Sequence, residues 1–81
     1  MAMKYIVFDL RGSREPVVFP ASFNHAWVAE GLKPLKPLSA GFVHWESDRP
    51  VCWGRSEGLR LSSDPERDSA ALQAKAAPEQ G

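Results

Sequence analysis

"KYIVFDLRGSREPVVFP", Lys4 to Pro20, decides the fold class. Its first seven residues are mostly β-branched or aromatic, "RGSRE" is a turn signal, and "PVVFP" resumes the apolar run between two prolines. The pattern predicts an antiparallel hairpin over residues 3–10 and 16–19, with Pro16 and Pro20 limiting the second strand. Hairpin strands near the start of a short chain need covering elements, and the residues that follow supply them.

"ASFNHAWVAEGLKP" predicts a short helix over 22–31, with Ser22 as N-cap, Gly31 as a left-handed C-terminal residue and Pro34 forbidding continuation. His25, Val28, Ala29 and Leu32 follow the i, i+3, i+4, i+7 spacing of one helix face, while Phe23, Ala26, Trp27 and Glu30 mark another. A helix that is apolar on two sides is sandwiched or shows one side to a partner. "LKPLKPLSAGF" reads as an extended, proline-spaced connector. "AGFVHW" and "PVCWGR" form a second expected hairpin around "ESDR", with Pro50 starting the returning strand. "GLRLSS" extends that strand or makes a fifth. "SSDPERDSAALQAKAA" predicts a terminal helix with Ser63 as N-cap, Glu66 at the capping-box spacing and Pro65 early. Leu72 is its one bulky apolar residue, which predicts loose docking. The order β-β-α-β-β-(β)-α defines an α+β domain over 1–76, a mainly antiparallel sheet of four to five strands packed by one or two helices. A disordered tail is expected at 77–81.

Composition narrows the function. The chain has 81 residues, ten basic and ten acidic. A formal charge of zero lacks the basic surplus that grips nucleic acid or anionic lipid generally. One cysteine makes no internal disulfide and no zinc set, and no apolar run is long enough for a signal peptide or membrane span. A cytoplasmic protein without cofactor or metal, and without a membrane partner, is the expectation.

The chemistry-bearing residues crowd into "SAGFVHWESDRPVCWGRSEGL", Ser39 to Leu59. With Trp45 set opposite Val51, His44 falls opposite Cys52. Val43, Trp45, Val51 and Trp53 then share one face, and Phe42, His44, Cys52 and Gly54 the other. The adjacent imidazole and thiol raise the alternative of a thiol enzyme. Against it, a mid-strand cysteine lacks converging backbone donors, and no third group orients His44. A metal site from His25, His44 and Cys52 has no supporting motif spacing. Gly41, Phe42, Val43 and Trp45 are similar to the second half of an RNA-recognition-motif signature, but Leu38, Ser39 and Ala40 replace its first half. Single-stranded nucleic-acid binding on this hairpin, with Lys36, Arg55 and Arg60 on phosphates, is therefore a second alternative.

"MKYIVFD", "SAGFV" and "VCWGRSEGLRLSSDPERDSAAL" give the chain its resemblance to the small open reading frames of unknown function in bacterial genomes and prophages. That resemblance implies an accessory protein that binds host or phage proteins, with no catalytic residues to carry over. The sequence itself points the same way. A chain this short buries only about 60–65% of its unfolded surface, yet it carries three tryptophans, four phenylalanines and a tyrosine. The leading expectation is a non-enzymatic protein-interaction module, self-associating as a homodimer, that uses Phe23, Trp27, Phe42, Trp45 and Trp53.

Overall fold

Tyr5, Ile6, Val7 and Phe8 are all fully buried, because the strand that carries them lies inside the sheet with a covering layer on each face. A computed structural model describes residues 2–76; the expected tail at 77–81 lies outside the described residues. The elements are β1 (Met3–Leu10), β2 (Ser13–Phe19), α1 (His25–Gly31), β3 (Lys36–Glu46), β4 (Arg49–Trp53), β5 (Arg55–Ser56), β6 (Leu61–Ser62) and α2 (Pro65–Ala76). Four strands form an antiparallel sheet in the order β2-β1-β3-β4, and β5 and β6 make a two-stranded ribbon. The fold is α+β, as the sequence predicts.

Strand alternation sorts the core into two halves. Tyr5 and Val7 pack with Val43 and Cys52 beneath Leu72 of α2. Ile6 and Phe8 pack with Phe19, Ala40 and Ala29, under α1 and the leucines 59 and 61 of the ribbon. The sheet is thus covered by α2 on one side and by α1 with the β5–β6 ribbon on the other. Among the described residues no helix is long and apolar enough to cross a membrane.

Several local expectations are corrected. The second strand begins at Ser13 rather than residue 16, because Arg11 and Gly12, both at positive φ, close the hairpin in two residues. Asp9 accepts the Gly12 N–H at 2.8 Å to hold that turn. Residues 36–39 are not connector but the start of the eleven-residue β3. A register shift between Val7 and Phe8 leaves Leu38 unpaired beside Pro37, the kind of irregularity that admits proline to an inner strand. Helix α1 is capped by Asn24, whose side chain accepts from the backbone of Ala26 and Trp27, so Ser22 and Phe23 precede the helix. Gly31 is its last residue, and its φ is not left-handed. Helix α2 starts at Pro65, which makes Asp64 rather than Ser63 the flanking residue. Asp68, not Glu66, reaches back to the start of the helix, accepting the Asp64 N–H at 2.8 Å.

Docking of α2 is firm. Leu72 sits in the core, and the fully buried Asp68 accepts from the Tyr5 hydroxyl, from Ser39 Oγ at 2.7 Å and from Arg14 Nη2 at 2.9 Å. Helix α2 is therefore tied to three strands through one carboxylate. Burial and the neighbouring Asp68 push the Tyr5 hydroxyl pKa up, so Tyr5 stays a phenol that donates to Asp68.

Candidate functional site

The β3–β4 hairpin turns through Ser47 and Asp48, both at positive φ, with Glu46 paired to Arg49. Trp45 therefore lies opposite Pro50, His44 opposite Val51 and Val43 opposite Cys52. This is one residue away from the expected register, and a slip of one residue sends each side chain of β4 to the other face. Cys52 joins the Tyr5–Leu72 core while His44 points to the α1 side. The two groups of the expected dyad are on opposite faces of the sheet. Desolvation raises the Cys52 thiol pKa, the Asp68 charge adding to that and a hydrogen bond to Ser69 opposing it. The site holds a thiol, not a nucleophilic thiolate. His25, His44 and Cys52 are likewise not brought together, and among the described residues no group of three His, Cys, Asp or Glu side chains could hold a metal ion.

The aromatic plate expected from Val43, Trp45, Val51 and Trp53 is split by the same slip. Trp53 stacks on Phe42 with ring centroids 4.9 Å apart. Its indole N–H donates to His44 Nδ1 at 3.1 Å, and His44 Nε2 lies 2.8 Å from a Glu46 carboxylate oxygen. With Nδ1 accepting, Nε2 carries the proton and donates to Glu46. The chain Glu46–His44–Trp53–Phe42 fixes the indole on one face of the hairpin, and Trp45 occupies the other.

A second aromatic surface belongs to α1. His25 points inward, its Nε2 2.9 Å from the Gly41 carbonyl, its ring edge-on to Phe19 and Phe42. That anchor places Trp27 outward, against Phe23 at 5.6 Å in an edge-to-face pair. Phe19, Phe23, Trp27, Val28 and Leu32 line an apolar groove of about 480 Å³. The rim is electrically neutral, because Glu30 pairs with Lys33 at 3.0 Å. Exposure is 67% for Trp27, 44% for Phe23 and Trp45, and 42% for Trp53. Tyr5, Phe8 and Phe19 fill the interior, and the half-buried Phe42 lies under Trp53. All five aromatic candidates are thus located, on two separate surfaces.

The three cations proposed for phosphates do not form a track beside these rings. Lys36 stands at the far end of β3, six residues and about 20 Å from Phe42. Arg55 is held by Glu57 at 3.3 Å. Arg60 sits at positive φ in the turn that closes the β5–β6 ribbon. Sequence reading missed the Asp68 cluster, whose only signal is an acidic residue one turn into a helix, where capping already accounts for acids.

Burial of His25 has a pH consequence. Desolvation lowers its pKa from the usual 6.5, with the Lys4 charge adding to that and hydrogen bonds to the backbone of Gly41 and Tyr5 opposing it. Below about pH 6.5 the unfolded chain takes up a proton that the native state refuses. The contribution of neutral His25 is complete above that pH and is lost as pH falls toward the folded value. Urea denaturation at pH 7.5, 6.5 and 5.5 is expected to show falling stability, with a shallower slope in His25→Gln. An equal slope in both proteins would remove His25 as the cause.

Comparison with known proteins gives no match: no protein-family model fits the chain, and no curated protein and no solved structure is similar to it.

Proposed function

We propose that this protein is a non-enzymatic interaction module that associates with a second copy of itself. The observation that carries the reading is the exposure of four large rings, Phe23, Trp27, Trp45 and Trp53, in a domain whose sheet is covered on both faces. Rigid aromatic side chains held at a surface contribute contact area at low entropic cost, which is why interfaces favour them. The neutral rim of the α1 groove fits another folded protein better than a phosphate backbone or an anionic membrane. An isologous contact also suits a chain with zero net charge, since two identical copies then do not repel. A cytoplasmic setting and an accessory role of the bacterial or prophage kind belong to the same proposal. The single unpaired thiol agrees with a reducing compartment.

Sedimentation over a concentration series tests the reading. The expected result is a weight-average mass that rises from monomer toward dimer between about 1 and 300 µM, with a melting temperature that climbs in parallel. A monomeric mass and a constant melting temperature across that range overturn it.

A further inference from the structure

We infer that two copies meet through α1, with the Trp27 ring of each seated in the apolar groove over Gly31 of the other. The inference rests on the self-association proposed above and names its surface.

Spacing makes this face complementary to itself. Trp27 and Gly31 are four residues apart on α1, so they lie on one face of the helix, about 6 Å apart along its axis. The largest side chain of the helix therefore stands beside its one residue without a side chain. Trp27 is 67% exposed. The surface at Gly31 is open, because a Cβ placed there would meet no atom within 4 Å. Val28 and Leu32 flank that opening, and Phe19 and Phe23 complete the groove. A two-fold axis crossing α1 between positions 27 and 31 sets the Trp27 ring of one copy against Gly31 of the other. The same operation makes the reciprocal contact, so projection and recess fill each other twice.

Of the two aromatic surfaces, this one offers an apolar recess for a ring. The cavities beside the β3–β4 hairpin are lined with charge instead: Lys4, Arg55 and Glu57 near Phe42, Arg49 and Glu66 along β4. The α1 rim sets no net charge against a second copy, since each Glu30 is neutralised by Lys33 of its own chain at 3.0 Å. Trp27 is steadied before contact by its edge-to-face partner Phe23, so little side-chain order is lost on association. The helix has seven residues and is about 10 Å long, which keeps the contact in the small class, below about 1,200 Å² in total. A contact of that size matches a weak dimer that forms at the upper concentrations of the series above.

The test is sedimentation of the wild-type protein, of Trp27→Ser, of Gly31→Leu and of a 1:1 mixture of the two variants, each checked for a native circular-dichroism spectrum. Gly31→Leu fills the recess and leaves the monomer intact, because the space is open and φ is not left-handed. Each variant alone is expected to weaken dimerisation at least about tenfold, since both reciprocal contacts are altered together. The mixture is expected to recover association, at least about fivefold tighter than either variant by itself. In the mixed pair one contact is the native Trp27 on Gly31, and the other sets the introduced serine against the introduced leucine. A dimer that survives both variants within about twofold overturns the α1 assignment and leaves self-association standing. Weakening by both without recovery in the mixture overturns the reciprocal seating of Trp27 on Gly31. A wild-type monomer at every concentration removes the self-association reading itself.

Discussion

Asp68→Ala is expected to cost about 3–5 kcal/mol, the range for removing one partner of a buried charged pair. Folding free energies of small domains are themselves only about 5–15 kcal/mol, so the variant is expected to be partly or wholly unfolded at 25 °C. The size follows from how many donors lose their acceptor at once. Tyr5 on β1, Ser39 on β3 and Arg14 on β2 all donate to this carboxylate, as does the backbone of Asp64. Tyr5 and Ser39 are buried, and Arg14 Nε is buried with no partner among the described residues. Water cannot replace the lost acceptor without opening the layer under α2. Leu72 is the helix's only buried large apolar residue among those described, so packing alone does not compensate. Tyr5→Phe removes one of these bonds and is expected to cost about 1 kcal/mol. In the double variant the two costs are expected to be non-additive, because the phenol has no acceptor to lose once Asp68 is gone. Urea denaturation of the three variants measures all of this. A loss below about 1 kcal/mol for Asp68→Ala would mean that the cluster is incidental to docking.

How much of this was legible in the residues follows from which signals are local. The first hairpin is readable because "RGSRE" and its flanking apolar runs announce a turn between two strands, but the start of the second strand at Ser13 is not, because "SRE" is polar and reads as turn. The buried face of α1 is readable because His25, Val28, Ala29 and Leu32 keep helical spacing. The β4 register is not, and one residue explains why. "ESDR" admits a three-residue loop, which sets Trp45 against Val51, and a two-residue loop, which sets Trp45 against Pro50. The shorter loop needs positive φ at both Ser47 and Asp48, a geometry that asparagine and glycine announce and serine does not. From that single slip come the separation of Cys52 from His44 and the split of the aromatic plate. The length of β3 was hidden by Pro37, which the bulge at Leu38 accommodates. The docking of α2 was hidden because its main tie is polar, and hydrophobic periodicity carries no information about a buried carboxylate.

Gly41→Ala is the second large effect, and here local preference and packing oppose each other. Glycine inside a strand is less favourable than alanine by roughly 0.5–1 kcal/mol, so strand propensity alone predicts that the variant gains stability. Packing predicts the reverse. A Cβ at Gly41 would lie 2.5 Å from the Trp53 carbonyl oxygen and 3.2 Å from Ser63 Cβ. The first is backbone, so relief requires moving β4 or the chain entering α2 rather than turning a side chain. The Gly41 carbonyl also receives His25, which couples any shift to the seating of α1. Overpacking of this kind costs about 1–3 kcal/mol, and the backbone contact puts Gly41→Ala at the upper end, well beyond the propensity gain. Gly31→Ala is the matched control, because no atom lies within 4 Å of its added Cβ and its φ is not left-handed; it is expected to be neutral or stabilising by up to about 1 kcal/mol. Thermal melts of the two variants decide the matter. If Gly41→Ala melts at or above the wild-type temperature, then β3, β4 and the ribbon yield at their crossing, and the rigid seat assigned to Trp53 on the hairpin is not there.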